Sequence, residues 1–153
     1  MKKITFLPAI ILLTSFSVFW ISCKKDKPKN TTMYDISATL SGAQEVPAVT
    51  SNGTGTVTGT YDATTNLLTY HITWSGLSGA ATGAHFHGAA AAGTNASVIV
   101  PFVIEASGTS ANGTATLTEA QEADFLNKLW YANVHTAAHP GGEIRGQVTA
   151  TLQ

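Results

Sequence analysis

Cysteine, charge and long helix-forming stretches are what this 153-residue chain has least of. The single cysteine, Cys23, excludes a disulfide within the chain and any zinc site built from paired cysteines, so burial alone must hold the fold together. Only 11% of residues are charged, whereas Thr (23), Ala (22) and Gly (14) dominate. Scarce long charged helix formers argue against a helical bundle or coiled coil and favour strands joined by many turns. Basic residues nearly vanish after the first thirty positions. From Met33 onward Lys128 and Arg145 stand against eight acidic residues, a net charge of −6. Nucleic-acid binding needs a basic surface, and none is present. Gly-x-Ser-x-Gly is also missing, as is any Gly-rich turn leading from strand into helix, so serine-hydrolase and nucleotide-binding readings find no support.

What is present begins with an address. Met1-Lys2-Lys3 is followed by 19 uncharged residues, Ile4 to Ser22, and then by Cys23. This segment resembles a bacterial lipoprotein signal, in which a small residue precedes the cysteine that is lipidated and becomes the mature N-terminus. Trp20 stands where such signals usually carry Leu. The alternative is an uncleaved anchor helix, since 19 residues just span a bilayer core of about 30 Å. Either way the expected location is the cell envelope, periplasmic or cell-surface, with the membrane as a partner. Residues 1–22 are thus expected to be signal, 23–33 a lipidated cysteine and a solvated linker rich in Lys, and 34–153 the folded domain.

The domain divides into short alternating runs separated by Gly, Asn and Pro. Strands are expected over 34–40, 54–61, 67–74, 82–87, 97–103, 114–118, 131–135 and 143–152. Leu68, Tyr70, Ile72 and Trp74 share one face of the third of these and form core, whereas His71 lies between threonines on the other face, a solvated position. Thr118-Glu119-Ala120-Gln121 reads as a capping box, with Glu119, Glu122 and Asp124 near the positive helix end and Phe125, Leu126, Leu129 and Trp130 as the buried stripe. An internal echo relates residues 52–58 to 112–118, and each copy opens on Asn-Gly, a hairpin signal.

Chemistry concentrates in histidine. Four of the five lie in two groups, His85-Phe86-His87 and Val134-His135 through His139-Pro140. On a strand, His85 and His87 face the same way with Cα atoms about 6.6 Å apart, while Phe86 faces the core. Two such imidazoles can converge on one ion, and His135 or His139 can supply further nitrogens if the second group lies beside the first. Nitrogen donors of this kind suit copper or zinc. The competing reading has these histidines hydrogen-bonding the Gly/Ala-rich connection over residues 88–96. His139 precedes the Pro140-Gly141-Gly142 turn, which sets it apart from the strand.

Several ordered motifs now carry a family resemblance. Residues 37–47 (SATLSGAQEVP), 67–78 (LLTYHITWSGLS), Ala84-His85-Phe86-His87-Gly88, and Val134-His135-Thr136 with Pro140 to Gln147 together resemble the CHRD domain, the module named from chordin. The match spans nearly all of 35–150. It implies an extracytoplasmic β-rich domain. Growth-factor antagonism of the chordin kind is not implied, because chordin's cysteine-rich modules are missing. A more distant similarity is to copper/zinc superoxide dismutase. That similarity implies His85, His87 and His135 as copper ligands and Arg145 as a guide for an anion, but the chain lacks the bridging histidine, the zinc loop and the cysteine pair. The fold expected is therefore mainly β, an antiparallel, Greek-key-like sandwich of superoxide-dismutase or immunoglobulin type with one short helix.

Glu143 and Arg145 share a strand face with Ile144 buried between them, and Arg145 reads as a clamp for a carboxylate or loop carbonyls rather than as a catalytic cation. The expected function is a lipid-anchored, non-catalytic module that binds copper or zinc. The alternative is an adhesion or structural module engaging protein or glycan through Thr-rich strand faces. A redox enzyme of dismutase type is the third.

Overall fold

The computed structural model describes residues 31–153, and the expected signal, Cys23 and the linker up to Asn30 lie outside them. Alternating burial drives the architecture. Nine strands form one antiparallel sheet: β1 (Met33–Ser41), β2 (Thr54–Asp62), β3 (Leu67–Ser75), β4 (Ala81–His87), β5 (Val98–Pro101), β6 (Ser110–Thr116), β7 (Tyr131–Thr136), β8 (Ile144–Gln147) and β9 (Thr149–Leu152). Their order is β5-β4-β7-β8-β1-β2-β3-β6, with β9 continuing along β1. The chain after β5 reaches β6 through an Ile104↔Ala111 bridge, so the sheet curls until it nearly closes. The expected class, mainly β and antiparallel with one short helix, is the one observed.

Inside the curl, β3 supplies Leu68, Tyr70, Ile72 and Trp74, and His71 points out to solvent beside exposed threonines. Phe86 from β4 packs edge-on against Tyr70 and Phe102, with ring centroids 5.2 and 4.7 Å apart. The helix α1 (Glu119–Leu126) closes one end. Its capping box is formed, Gln121 N donating to Thr118 Oγ1 and Thr118 N to Gln121 Oε1, and Phe125 inserts against Tyr61 and Trp130. The expected stripe is shorter than its sequence pattern: the helix stops at Leu126, Lys128 takes φ +60°, and Trp130 reaches the core from the following turn.

Two further differences have physical causes. The sixth strand starts at Ser110, four residues early, because Asn112-Gly113 sits within a strand and not in a hairpin turn. Gly113 is needed there because the Tyr70 hydroxyl lies 2.6 Å from where a Cβ would stand. The internal echo therefore marks two strands, β2 and β6, that flank β3 on either side. The expected last strand is split at Val148, whose N–H turns to the Trp130 carbonyl. Both halves keep one register against β1, as Ser41↔Arg145 and Ser37↔Thr149 show.

Where β8 crosses β1, Gly146 presses on the backbone: a Cβ there would sit 2.3 Å from the Thr39 carbonyl oxygen. Backbone cannot yield as a flexible side chain would. Gly146→Ala is expected to destabilise the fold by about 3 kcal/mol or more, whereas Gly79→Ala, with nothing within 4 Å of its Cβ position, should change stability by less than about 1 kcal/mol. Denaturant unfolding of both variants checks the contrast.

Candidate metal centre

Parity along β4, β7 and β8 builds the site. Ala84 and Phe86, Ala132 and Val134, and Ile144 point into the core. The alternate residues, His85 and His87, Tyr131, Asn133 and His135, and Arg145 and Gln147, therefore share the opposite face. The register sets His85 beside Asn133, His87 beside Tyr131, and Gly83 beside His135. Gly83 leaves room for the rings, since a Cβ there would meet His85 Cε1 at 3.2 Å and His135 Cδ2 at 3.9 Å. Residues 88–97 lie against this face, tied down by Gln147 Nε2 donating to Ala90 O and by both ends of the Arg145 guanidinium.

One ring nitrogen from each of His85, His87 and His135 lies within 4.8 Å of the other two. His139 does not join them. It belongs to the turn after β7, where its backbone bonds Thr136 and Gly142.

Hydrogen bonds settle the protons. His87 Nδ1 lies 3.0 Å from Ala96 O and His135 Nδ1 lies 2.9 Å from Pro140 O. A carbonyl only accepts, so in both rings Nδ1 carries the hydrogen and Nε2 keeps its lone pair. His135 Nε2 meets His85 Nδ1 at 3.3 Å. His87 Nε2 is buried with no hydrogen-bond partner among the described residues. Burial, followed by the neighbouring His135 and His87, holds the His85 pKa below the usual imidazole range. Burial also lowers that of His87, with the Ala96 carbonyl pulling the other way. A neutral ring presenting a lone pair is the form that coordinates metal; His87 holds one unshared at Nε2, and that of His135 Nε2 accepts from His85 Nδ1–H.

The donor set fits such an ion. Tetrahedral zinc with bonds of about 2.0–2.1 Å holds its nitrogens about 3.3 Å apart, the present His85–His135 separation, and the other edges, within 4.8 Å, close with shifts of at most about 1.5 Å. Each of His87 and His135 gives its other ring N–H to a backbone carbonyl, the arrangement that fixes metal-binding histidines elsewhere.

The two carboxylates nearby are solvated in opposite ways. Glu143 is fully buried and accepts four bonds of 2.6–2.7 Å, from Ser51 Oγ, from Ser78 N and Oγ, and from Thr136 Oγ1. Burial pushes its pKa up, but these donors outweigh it and bring the value down to about 2. Its partners are neutral, so it joins Ser51, β7 and the residue-78 turn without a cation. Arg145, 2% exposed, donates Nη2 to Thr94 O (2.6 Å) and Nη1 to Asn95 Oδ1 (3.0 Å) and lies 3.4 Å over the Tyr131 ring. Glu45, 7% exposed, accepts from Asn133 Nδ2 at 2.6 Å. Sequence reasoning gave no role to Tyr131, Asn133 or Glu45, although Tyr131 and Asn133 share the parity of His135.

The chain matches the CHRD domain over residues 36–148, which takes in all three clustered histidines, Glu45, Glu143 and Arg145. It belongs to the CHRD domain family. No curated protein and no solved structure shows a significant match to it. The CHRD unit thus runs from β1 to the break at Val148, and the histidine face lies wholly within it.

Burial pushes the Glu45 pKa up to about 7, against the pull of the Arg145 charge, the Val46 N–H and the Asn133 amide. A carboxyl raised in the folded state contributes stability that is present below its unfolded pKa near 4.5 and is lost as pH rises through 7. Gln mimics the protonated acid. The stability of the wild type relative to Glu45→Gln should therefore fall by about 3 kcal/mol between about pH 4 and pH 8 in chemical denaturation. A difference that stays flat would show that Glu45 titrates as an ordinary carboxylate.

Proposed function

We propose that this CHRD domain is a non-catalytic binding module for one transition-metal ion, copper or zinc, held by His85, His87 and His135, and that Cys23 carries a lipid tethering it to the cell envelope. The observation that carries the metal reading is His87 Nε2. It is a buried nitrogen without a partner among the described residues, in a ring whose other nitrogen is committed to Ala96 O, beside two more histidines. Leaving such an acceptor dry is unfavourable by about 1–3 kcal/mol, and a metal ion would relieve that. Domain charge supports the same reading, because a field of −6 concentrates cations at the surface and repels anions. A bound ion would act here as cargo or structural ligand, and His85 would give up the Nδ1 hydrogen bond to His135 in order to present that lone pair.

Titration of the purified chain with zinc or copper should show one ion per chain. The His85→Ala/His87→Ala variant should lose at least about 100-fold in affinity, and wild-type affinity should fall below about pH 6.5 as protons compete for the nitrogens. Unchanged affinity in that variant would remove the metal reading and leave surface adhesion, through the threonine face of β2 and β3, as the account to test.

Lipidation has its own test. Cys23→Ser should move the chain from the membrane fraction to the soluble fraction with the metal stoichiometry unaltered, and retention in the membrane would point instead to an uncleaved anchor helix.

A further inference from the structure

Arg145 is buried, yet its guanidinium donates to two neutral acceptors, and both lie in the loop over residues 88–97. We propose that Arg145 is a positioning residue for His87, holding its Nδ1–H tautomer and thereby keeping the Nε2 lone pair free; as a statement about metal affinity this rests on the function proposed above.

Two short paths run from the guanidinium to the imidazole. The first passes through the loop. Arg145 holds Thr94 O and Asn95 Oδ1, and the next residue, Ala96, supplies the carbonyl that accepts from His87 Nδ1. The second passes through Tyr131. One face of its ring carries the Arg145 guanidinium at 3.4 Å, and its ring also stacks with His87 at 2° and 4.8 Å between centroids. The paths meet at Ala96, whose N–H donates to the Tyr131 hydroxyl at 3.1 Å.

The loop needs such a hold. It contains Ala89 to Ala92 and then Gly93 at φ +83°, and of these four alanines only Ala90 is buried. A backbone with so few apolar anchors is ordered by its hydrogen bonds, so the place of the Ala96 carbonyl depends on them. Released from Ala96, the ring is free to carry its proton on Nε2, which takes away the lone pair that His87 would offer an ion. A lysine cannot replace the arginine, because a single ammonium cannot bond two acceptors as a planar fork and lie flat on an aromatic ring at once.

The tautomer is readable without metal. In the 15N-labelled full chain, metal-free and above the imidazole pKa, long-range proton–nitrogen correlations should show His87 protonated on Nδ1. In Arg145→Lys the His87 pattern should move to Nε2–H or to an exchange average, and zinc affinity should fall about 10–100-fold, the usual consequence of losing a group that orients a ligand. Asn95→Ala, at an exposed position, removes one of the two acceptors together with the Asn95 Nδ2 bond to Val46 O and should move the same signals less far, whereas Asn95→Asp, which keeps the acceptor and loses only the Val46 bond, should keep the wild-type pattern. The proposal is overturned if folded Arg145→Lys and Asn95→Ala both keep the wild-type His87 pattern. If Arg145→Lys does not fold, the His87 pattern of Asn95→Ala decides alone. A wild-type chain that binds no zinc yet shows the tautomer change would sustain the positioning role and defeat only the metal reading.

Discussion

The structure depends on a sheet that is buried on both faces where β4, β7 and β8 run together. An ordinary antiparallel sheet hides one face and wets the other, so its outer polar residues need no particular partners. Here a loop from the β4–β5 connection lies over the outer face, so most polar groups beneath it take a donor or an acceptor within the protein, while His87 Nε2, Asn133 Oδ1 and Gln147 Oε1 are left without one among the described residues. That pairing turns a row of alternate residues into a network. Arg145, Asn133, Tyr131, His135 and His87 are all engaged, and their partners are mainly backbone carbonyls of the covering segments. The same carbonyls would be orphans if the side chains were apolar.

Charge under this cover is handled by two opposite solutions. Glu143 collects hydroxyl and amide donors from three separate parts of the chain and stays ionised, so its cost of burial is met by bonds that also fasten Ser51 and the residue-78 turn to β7. Glu45 has one short bond, to Asn133, and the protein lets it hold its proton near neutrality. Arg145 could have taken Glu45 as a direct partner; instead its donors go to the loop. A domain with only two basic residues has thus placed one of them where it orders backbone.

The elements that depend on local pattern were legible. Leu68-x-Tyr70-x-Ile72-x-Trp74 declared its buried face, Thr118 and Gln121 declared the helix start, and His85-x-His87 declared a shared face because Phe86 between them had to be core. Parity even brought His135 to the right side once β4 and β7 were neighbours. What stayed hidden depends on contacts between distant segments. Nothing local tells that Asn112-Gly113 lies in a strand, because what holds it there is its pairing with His71 and Tyr70 on β3, where the Tyr70 side chain fills the space a Cβ at Gly113 would take. Nor does the run Ala89 to Gly93 announce that it roofs a polar face, since it does so with carbonyls, which every sequence has. Glu45 was visible as a residue within a motif, but its burial follows from Asn133, 88 positions away.

This division of labour bears on how the site can work. Strands fix where the three rings stand, to within the tolerance of a register that cannot slip without turning core residues outward. Proton placement is not fixed by strand register alone. It is fixed by Ala96 and Pro140, two carbonyls in connections that follow β4 and β7. A change in those connections can therefore alter the donor character of a ring while leaving the fold intact. On the reading proposed above, affinity for a cation would depend on these connections as well as on the strands that carry the rings, whereas stability rests mainly on the strands.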